Sequence, residues 1–320
     1  MQMMIAIMML FLAANSVWAQ PTVSTRATFV VRDDLGQPVP KALIEGGFRD
    51  VTDAGSRDRF KKLTDTNGML VVKGRAMIGV GGLVTADGHY QTITSVPLEY
   101  DQLMTLRRWD VEVPVLLKRI RNPIPMFVKG VSCDKIRDTS NDKKGHVVLS
   151  SLVGYDMLEG AMVAPYGKGK VMDLEFNWKW TVITTYDGVW PRDSDMLSEV
   201  RLTNGVDGIC RGIPDGSADG QIGSWFRSAY EAPESGYTNL ISYYCRNRGT
   251  ERDTNDDRHD LYYFRIRTQT NELGQVTNAL YGKIEGQINE RFAYFLNPTP
   301  NDRNVESDPK RNLCEDPEAW

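Results

Sequence analysis

Histidine is scarce, with three in 320 residues, and no cysteine precedes Cys133. The four cysteines, Cys133, Cys210, Cys245 and Cys314, include no Cys-x-x-Cys pair and have no histidine close by, so zinc ligation is a poor reading. No run of Lys or Arg is long enough to neutralise many phosphates, and the net charge is -4. Nucleic acid and anionic membrane surfaces are therefore excluded as expected partners. No Gly-x-Ser-x-Gly elbow is present. No stretch carries a helical apolar period for more than about two turns. Internal repeats and low-complexity segments are absent too.

What is present fits a globular chain: 41% hydrophobic and 25% charged residues, with length for two or three domains. The first nineteen residues stand apart. Met3 to Ala14 is apolar throughout, and Val17-Trp-Ala19 places small residues at −3 and −1 before Gln20. This reads as a cleaved signal peptide, although Met1-Gln2 supplies no Lys or Arg. The run is shorter than the about 18 to 20 residues of a spanning helix, and no later stretch could span, so no membrane span is expected after cleavage. The expected location is the periplasm, the cell surface or the exterior. In that oxidising setting Cys133, Cys210, Cys245 and Cys314 suggest two disulfides, with three pairings open; free thiols are the alternative.

From Thr25 to Lys118 short extended runs alternate with turn chemistry. Ala27 to Val31 is β-branched and aromatic, and Asp33-Asp-Leu-Gly-Gln-Pro38 ends it. Asn67-Gly68 offers the positive φ of a tight hairpin, and Asp87-Gly88 closes a strand over 80–86. Trp109, Val111, Val113, Val115 and Leu117 share one face of a further strand. Six or seven such strands predict a β-sandwich of immunoglobulin or transthyretin type.

Three segments here resemble the carboxypeptidase regulatory-like domain, a transthyretin-like sandwich. They are Val31-Arg-Asp-Asp-Leu-Gly-Gln-Pro-Val-Pro-Lys-Ala42, Thr64-Asp-Thr-Asn-Gly-Met-Leu70 and Val84-Thr-Ala-Asp-Gly-His-Tyr90. His89 departs from the family's pattern by separating Gly88 from Tyr90. The resemblance covers about a third of the chain and implies a non-catalytic attachment, a spacer. Pro123 and Pro125 mark residues 119–125 as a stiff linker.

Residues 126–320 predict a second, larger sandwich, jelly-roll-like, with long loops. In 173–184, Leu174, Phe176, Trp178, Trp180 and Val182 point one way and Glu175, Asn177, Lys179 and Thr181 the other. In 261–268, Phe264 and Ile266 are expected inward and Arg265 and Arg267 outward. Asn271-Glu-Leu-Gly274 then turns the chain into a returning strand over 276–288. Several phrases, among them Val163-Ala-Pro-Tyr-Gly-Lys-Gly-Lys170 and Phe295-Leu-Asn-Pro-Thr-Pro-Asn-Asp-Arg-Asn304, are similar to an uncharacterised family of exported bacterial proteins. That resemblance implies a bacterial origin and no chemistry.

The candidate sites are few. Gly167-Lys-Gly-Lys170 lacks the glycine and the Ser or Thr of a phosphate loop and reads as a turn. Asp215 and Asp219 have the spacing of half a calcium loop, but Phe226 holds the place of its closing Glu; a structural Ca²⁺ is the only cofactor considered. The cluster from Asp253 through Asp256, Asp257 and His259 to Asp260 reads as a solvated loop. Tyr166, Trp190 and Trp225, aromatic residues expected in loops, are the candidate ligand contacts. No catalytic residue is assigned. The expectation is an exported, non-catalytic binding or envelope-associated protein, with a polysaccharide or envelope component as partner. A glycan hydrolase using loop carboxylates and a structural envelope component are the alternatives.

Overall fold

A computed structural model describes residues 23–49, 56–76, 78–97, 110–132, 138–186, 190–215, 222–255, 261–286 and 291–314. The expected signal peptide, Trp109, Cys133, Asp219 and residues 256–260 with His259 lie outside these. The described residues form an all-β protein without a helix. The chain divides into two compact units, Met1–Arg119 and Ile120–Trp320.

Among the described residues the first unit has seven strands: β1 (Val23–Asp33), β2 (Leu43–Arg49), β3 (Ser56–Leu63), β4 (Met69–Ala76), β5 (Gly79–Thr85), β6 (Thr92–Pro97) and β7 (Asp110–Leu117). One layer has the order β4-β1-β7, with β1 and β7 parallel; the other has β6-β5-β2-β3, antiparallel throughout. Alternation decides what is buried: Val111, Val113, Val115 and Leu117 of β7 face the core while the residues between them are exposed. Phe29, Phe48 and Phe60 pack edge to face, with centroids 5.6 and 6.0 Å apart. Gly74 is dictated by this cluster, because a Cβ there would lie 2.2 Å from the Phe48 ring. Gly36, Gly68 and Gly88, the turn glycines of the sequence, all take positive φ, 75°, 72° and 72°.

The second unit contains β8 (Ile124–Ser132), β9 (Asp138–Asn141), β10 (Val147–Asp156), β11 (Ala161–Met162), β12 (Leu174–Tyr186), β13 (Trp190–Leu202), β14 (Gly208–Arg211), β15 (Gly223–Ser224), β16 (Leu240–Arg248), β17 (Glu251–Thr254), β18 (Leu261–Thr270), β19 (Val276–Glu285), β20 (Arg291–Leu296) and β21 (Ser307–Asn312). Seven strands form one sheet, β11-β10-β12-β13-β16-β17 with β9 added beside β10; six form the other, β14-β18-β19-β20-β8-β21. Between them lies a core that includes Phe176, Trp178, Phe264, Ile266, Tyr294 and Leu296, with Trp180 packed against it. The inward and outward sets of β12 fall as its alternation requires.

The six-stranded sheet is also covered on its other face. Leu261, Tyr263, Ala279 and Tyr281 are buried there with Ala232 and Val305, supplied by the long connections that follow β15 and β20. This explains why β18 and β19 read as nearly continuous buried runs rather than half-buried strands. Gly282 of β19 sits at the tightest point: a Cβ there would be 2.2 Å from the Phe264 ring and 2.3 Å from the Phe295 carbonyl oxygen.

Three expectations change. Strand β8 begins at Ile124 and includes Pro125, so the extended backbone that the prolines favour belongs partly to the second sandwich rather than to a linker. Trp190 opens strand β13 instead of lying in a loop. Cys210, Cys245 and Cys314 are free thiols, so two disulfides do not form. Cys210 and Cys245 stand on strands of opposite sheets, and the C-terminal segment is fastened without sulfur. Asn312 does that work: its Oδ1 accepts from the Val128 N–H at 3.0 Å and its Nδ2 donates to the Val128 carbonyl at 2.8 Å.

Candidate functional site

The second unit's most organised polar cluster is built from residues far apart in sequence. Ladder pairing in β18 shifts between Ile266 and Gln269, and Arg267, within this irregularity, adopts φ 53°. That geometry takes Arg267 out of strand alternation, so it does not project outward beside Arg265. Its Nε donates to Asp173 Oδ1 at 2.9 Å, and its Nη2 donates to Asp173 Oδ2 at 3.0 Å and to Asp156 Oδ1 at 2.8 Å. Both carboxylates are almost fully buried. A third, Asp207, accepts the Arg267 N–H at 3.1 Å and the Thr268 N–H at 2.8 Å. Burial, opposed by those hydrogen bonds and aided by the Asp173 charge, raises the Asp207 carboxyl above its ordinary range.

Asp156 holds the wall of a cavity. Its Oδ1 accepts the N–H groups of Leu158 and Glu159, both at 3.1 Å, and its Oδ2 those of Lys170 and Val171, both at 3.0 Å. Desolvation works against the charge, but these donors and Arg267 win, and the carboxyl is held below its ordinary value. The turn 157–160 and the loop 161–171 are thereby tied to one carboxylate. Gly167-Lys-Gly-Lys170 is the turn its composition predicts: a Cβ at Gly167 would lie 2.4 Å from the Met162 carbonyl oxygen, and one at Gly169 2.8 Å from that of Ala161.

The cavity so framed has a volume of about 350 Å³. Phe127, Leu158 and Leu313 give it apolar walls, Gly160 and Ala161 a backbone edge, and Lys129, Lys168, Glu159 and Cys314 its polar groups. Gly160, at φ 61°, makes room, since a Cβ would approach Lys129 Cδ to 3.2 Å and Tyr294 Oη to 3.3 Å. Tyr294 donates to the Met157 carbonyl at 2.9 Å and fixes the turn from beneath. Burial raises the Cys314 thiol, with Lys129 opposing. Glu159 is engaged by Lys170 at 2.7 Å. Among the described lining residues Lys129 and Lys168 outnumber the one carboxylate, Glu159, and no described carboxylate pairs with either lysine.

The residues expected from sequence are not gathered here. Tyr166 lies in the same loop as Lys168 and is 48% exposed; Trp225, 66% exposed, belongs to the connection after β15. Of Trp190 only the strand position is described. Asp215 is half-buried, its N–H donating to the Arg227 carbonyl at 2.9 Å, and its expected companion Asp219 is outside the described residues. No group of three potential metal-ligating side chains occurs among the described residues. Sequence reasoning missed Lys129, Asp156, Asp173, Asp207 and Arg267. The one available signal was a lone Asp among apolar neighbours, as in Tyr155-Asp-Met157 and Met172-Asp-Leu174.

No protein-family model and no curated protein matches the chain. Among solved structures it is similar to 3-chlorocatechol 1,2-dioxygenase of Rhodococcus opacus, at 11% identity and TM-score 0.25, covering 32% of this chain and 62% of that one. Catechol 1,2-dioxygenase of an Acinetobacter species gives 17% identity and TM-score 0.23, covering 32% and 55%. BcpA, the major pilin subunit of Bacillus cereus, gives 12% identity and TM-score 0.23, covering 91% and 98%. Likenesses this slight carry no functional argument.

Proposed function

We propose that this chain is an exported, non-catalytic binding protein of the cell envelope, and that the cavity of its second unit takes a small acidic ligand, with an acid-bearing glycan as the favoured class. The observation that carries the reading is the pair Lys129 and Lys168, without carboxylate partners among the described residues, in a concave site of about 350 Å³. Apolar walls with a few convergent polar groups are the usual make-up of a ligand pocket. The nearby carboxylates favour binding over hydrolysis: Asp156 and Asp173 are committed to Arg267 and to backbone N–H groups, which leaves them poorly placed as a general acid and base. The signal-like N-terminus supports export, and the resemblance to carboxypeptidase regulatory-like domains supports a spacer role for the first unit.

Calorimetric titration with uronic-acid oligosaccharides, and with neutral oligosaccharides of the same length, tests this. Binding should favour the acidic series and weaken with salt. Replacing Lys129 and Lys168 by Met should weaken it about tenfold per site. Equal binding of both series, or undiminished binding by the double variant, would overturn the reading.

A further inference from the structure

The first unit has a concavity of its own, about 330 Å³, beside the turn that follows β1. Lys41, His89 and Arg119 supply cationic or hydrogen-bonding groups to it, and Pro38 and Pro40 give it an apolar side. Two carboxylates also line it, Asp33 and Asp87; Asp33 Oδ1 accepts the N–H groups of Leu35 at 2.9 Å and Gln37 at 2.8 Å, and its Oδ2 faces Arg119. Arg119 is oriented through Nε, 3.0 Å from Asp34 Oδ1 and 3.7 Å from Asp33 Oδ2. The Nδ1–H of His89 donates to the Asp87 carbonyl at 2.8 Å, which fixes the ring and leaves Nε2 for another partner.

Lys41 is the unusual member. Its φ is 57°, a left-handed conformation that suits Gly or Asn far better than Lys. The turn is clamped in that shape from behind. Thr64 Oγ1 donates to the Val39 carbonyl at 2.8 Å and accepts the Ala42 N–H at 2.9 Å, and the Lys41 N–H donates to the Thr64 carbonyl at 3.2 Å. Lys41 thus holds a glycine-like position on the rim of a cavity and has no ion-pair partner among the described residues.

We propose that this concavity is a second binding site, for a small oxyanion, in which Lys41 supplies charge, Arg119 a fixed guanidinium and His89 Nε2 a directed hydrogen bond. The site is independent of the cavity in the second unit. Phosphate and carboxylate ligands share the chemistry, and separate titrations distinguish them.

The chain has three histidines, so imidazole carbon labelling gives a spectrum in which His89 can be followed in the full protein. Inorganic phosphate and citrate are titrated separately at constant ionic strength. A saturable shift of the His89 Cε1–H resonance with either anion supports the site and names the preferred geometry. Lys41→Gly, and Lys41→Asn as a second variant that tolerates the same backbone, should raise the unfolding midpoint while weakening the anion about tenfold. No saturable His89 shift with either anion, or native-strength binding by both variants, would overturn the proposal.

Discussion

Arg267→Ala should destabilise the second unit by about 3 kcal/mol, the lower end of the range for breaking a buried ion pair, because the arginine side chain is itself 29% exposed. The loss should arise mainly at one of its two partners. With Arg267 gone, Asp156 still accepts four backbone N–H groups and stays satisfied. Asp173 keeps only the Met157 N–H, at 2.8 Å, and becomes a buried charge with one donor. Adding Asp173→Asn to Arg267→Ala should therefore restore a good part of the loss, whereas adding Asp156→Asn should restore little. Urea unfolding followed by tryptophan fluorescence suits the test, since Trp178 lies in the second unit's core and Trp180 packs against it. A loss below about 1 kcal/mol, the scale of a surface pair, would refute the reasoning. So would equal rescue by the two asparagines.

Gly282→Ala should cost about 3 kcal/mol, because its Cβ meets a backbone oxygen at 2.3 Å as well as the Phe264 ring; a midpoint within error of the native chain would contradict that close approach. Asp207 has a folded-state pKa raised above the unfolded value, so ionising it as pH climbs through the folded pKa lowers stability. Asp207→Asn removes that slope, and its stability relative to the native chain should improve as pH rises above the ordinary carboxylate range; curves that stay parallel would count against the burial assigned to Asp207. Thiol titration of unreduced, unfolded protein should find Cys210, Cys245 and Cys314 all reactive, while in the folded state Cys210, its pKa raised to about 11 by burial, should react slowly. Unreactive thiols in the unfolded, unreduced chain would restore the disulfide reading.

Strands with one wet face were legible from their pattern, as β7 and β12 show, and the β18–β19 hairpin was marked by Asn271-Glu-Leu-Gly274, where Gly274 takes φ 75°. Strand β3 was not legible: Ser-Arg-Asp-Arg-Phe-Lys-Lys-Leu is an edge strand that turns one aromatic, Phe60, toward the core, too little for a period of two. Strand β13 lies between β12 and β16, yet much of its sequence is polar, and two of its serines, Ser194 and Ser198, are buried. The two-sided burial of β18 and β19 hid for a different reason. Its covering layer comes from loops, and loops announce turns rather than contacts. The Arg267 network was least visible of all, since its members lie 94 and 111 residues apart along the chain. The cavity lysines share that difficulty: Lys129 interrupts an apolar strand and Lys168 sits in a glycine turn, and only folding places them on one concavity.

Strand β8 opens the second unit, yet its only neighbours, β20 and β21, are the last two strands described. A ribosome must therefore release nearly the entire unit before that opening strand finds a mate. The six-stranded layer cannot close until β20 and β21 have been made. A stop codon between β19 and β20 should accordingly leave β8 with both edges naked and yield an aggregate, not a smaller folded domain.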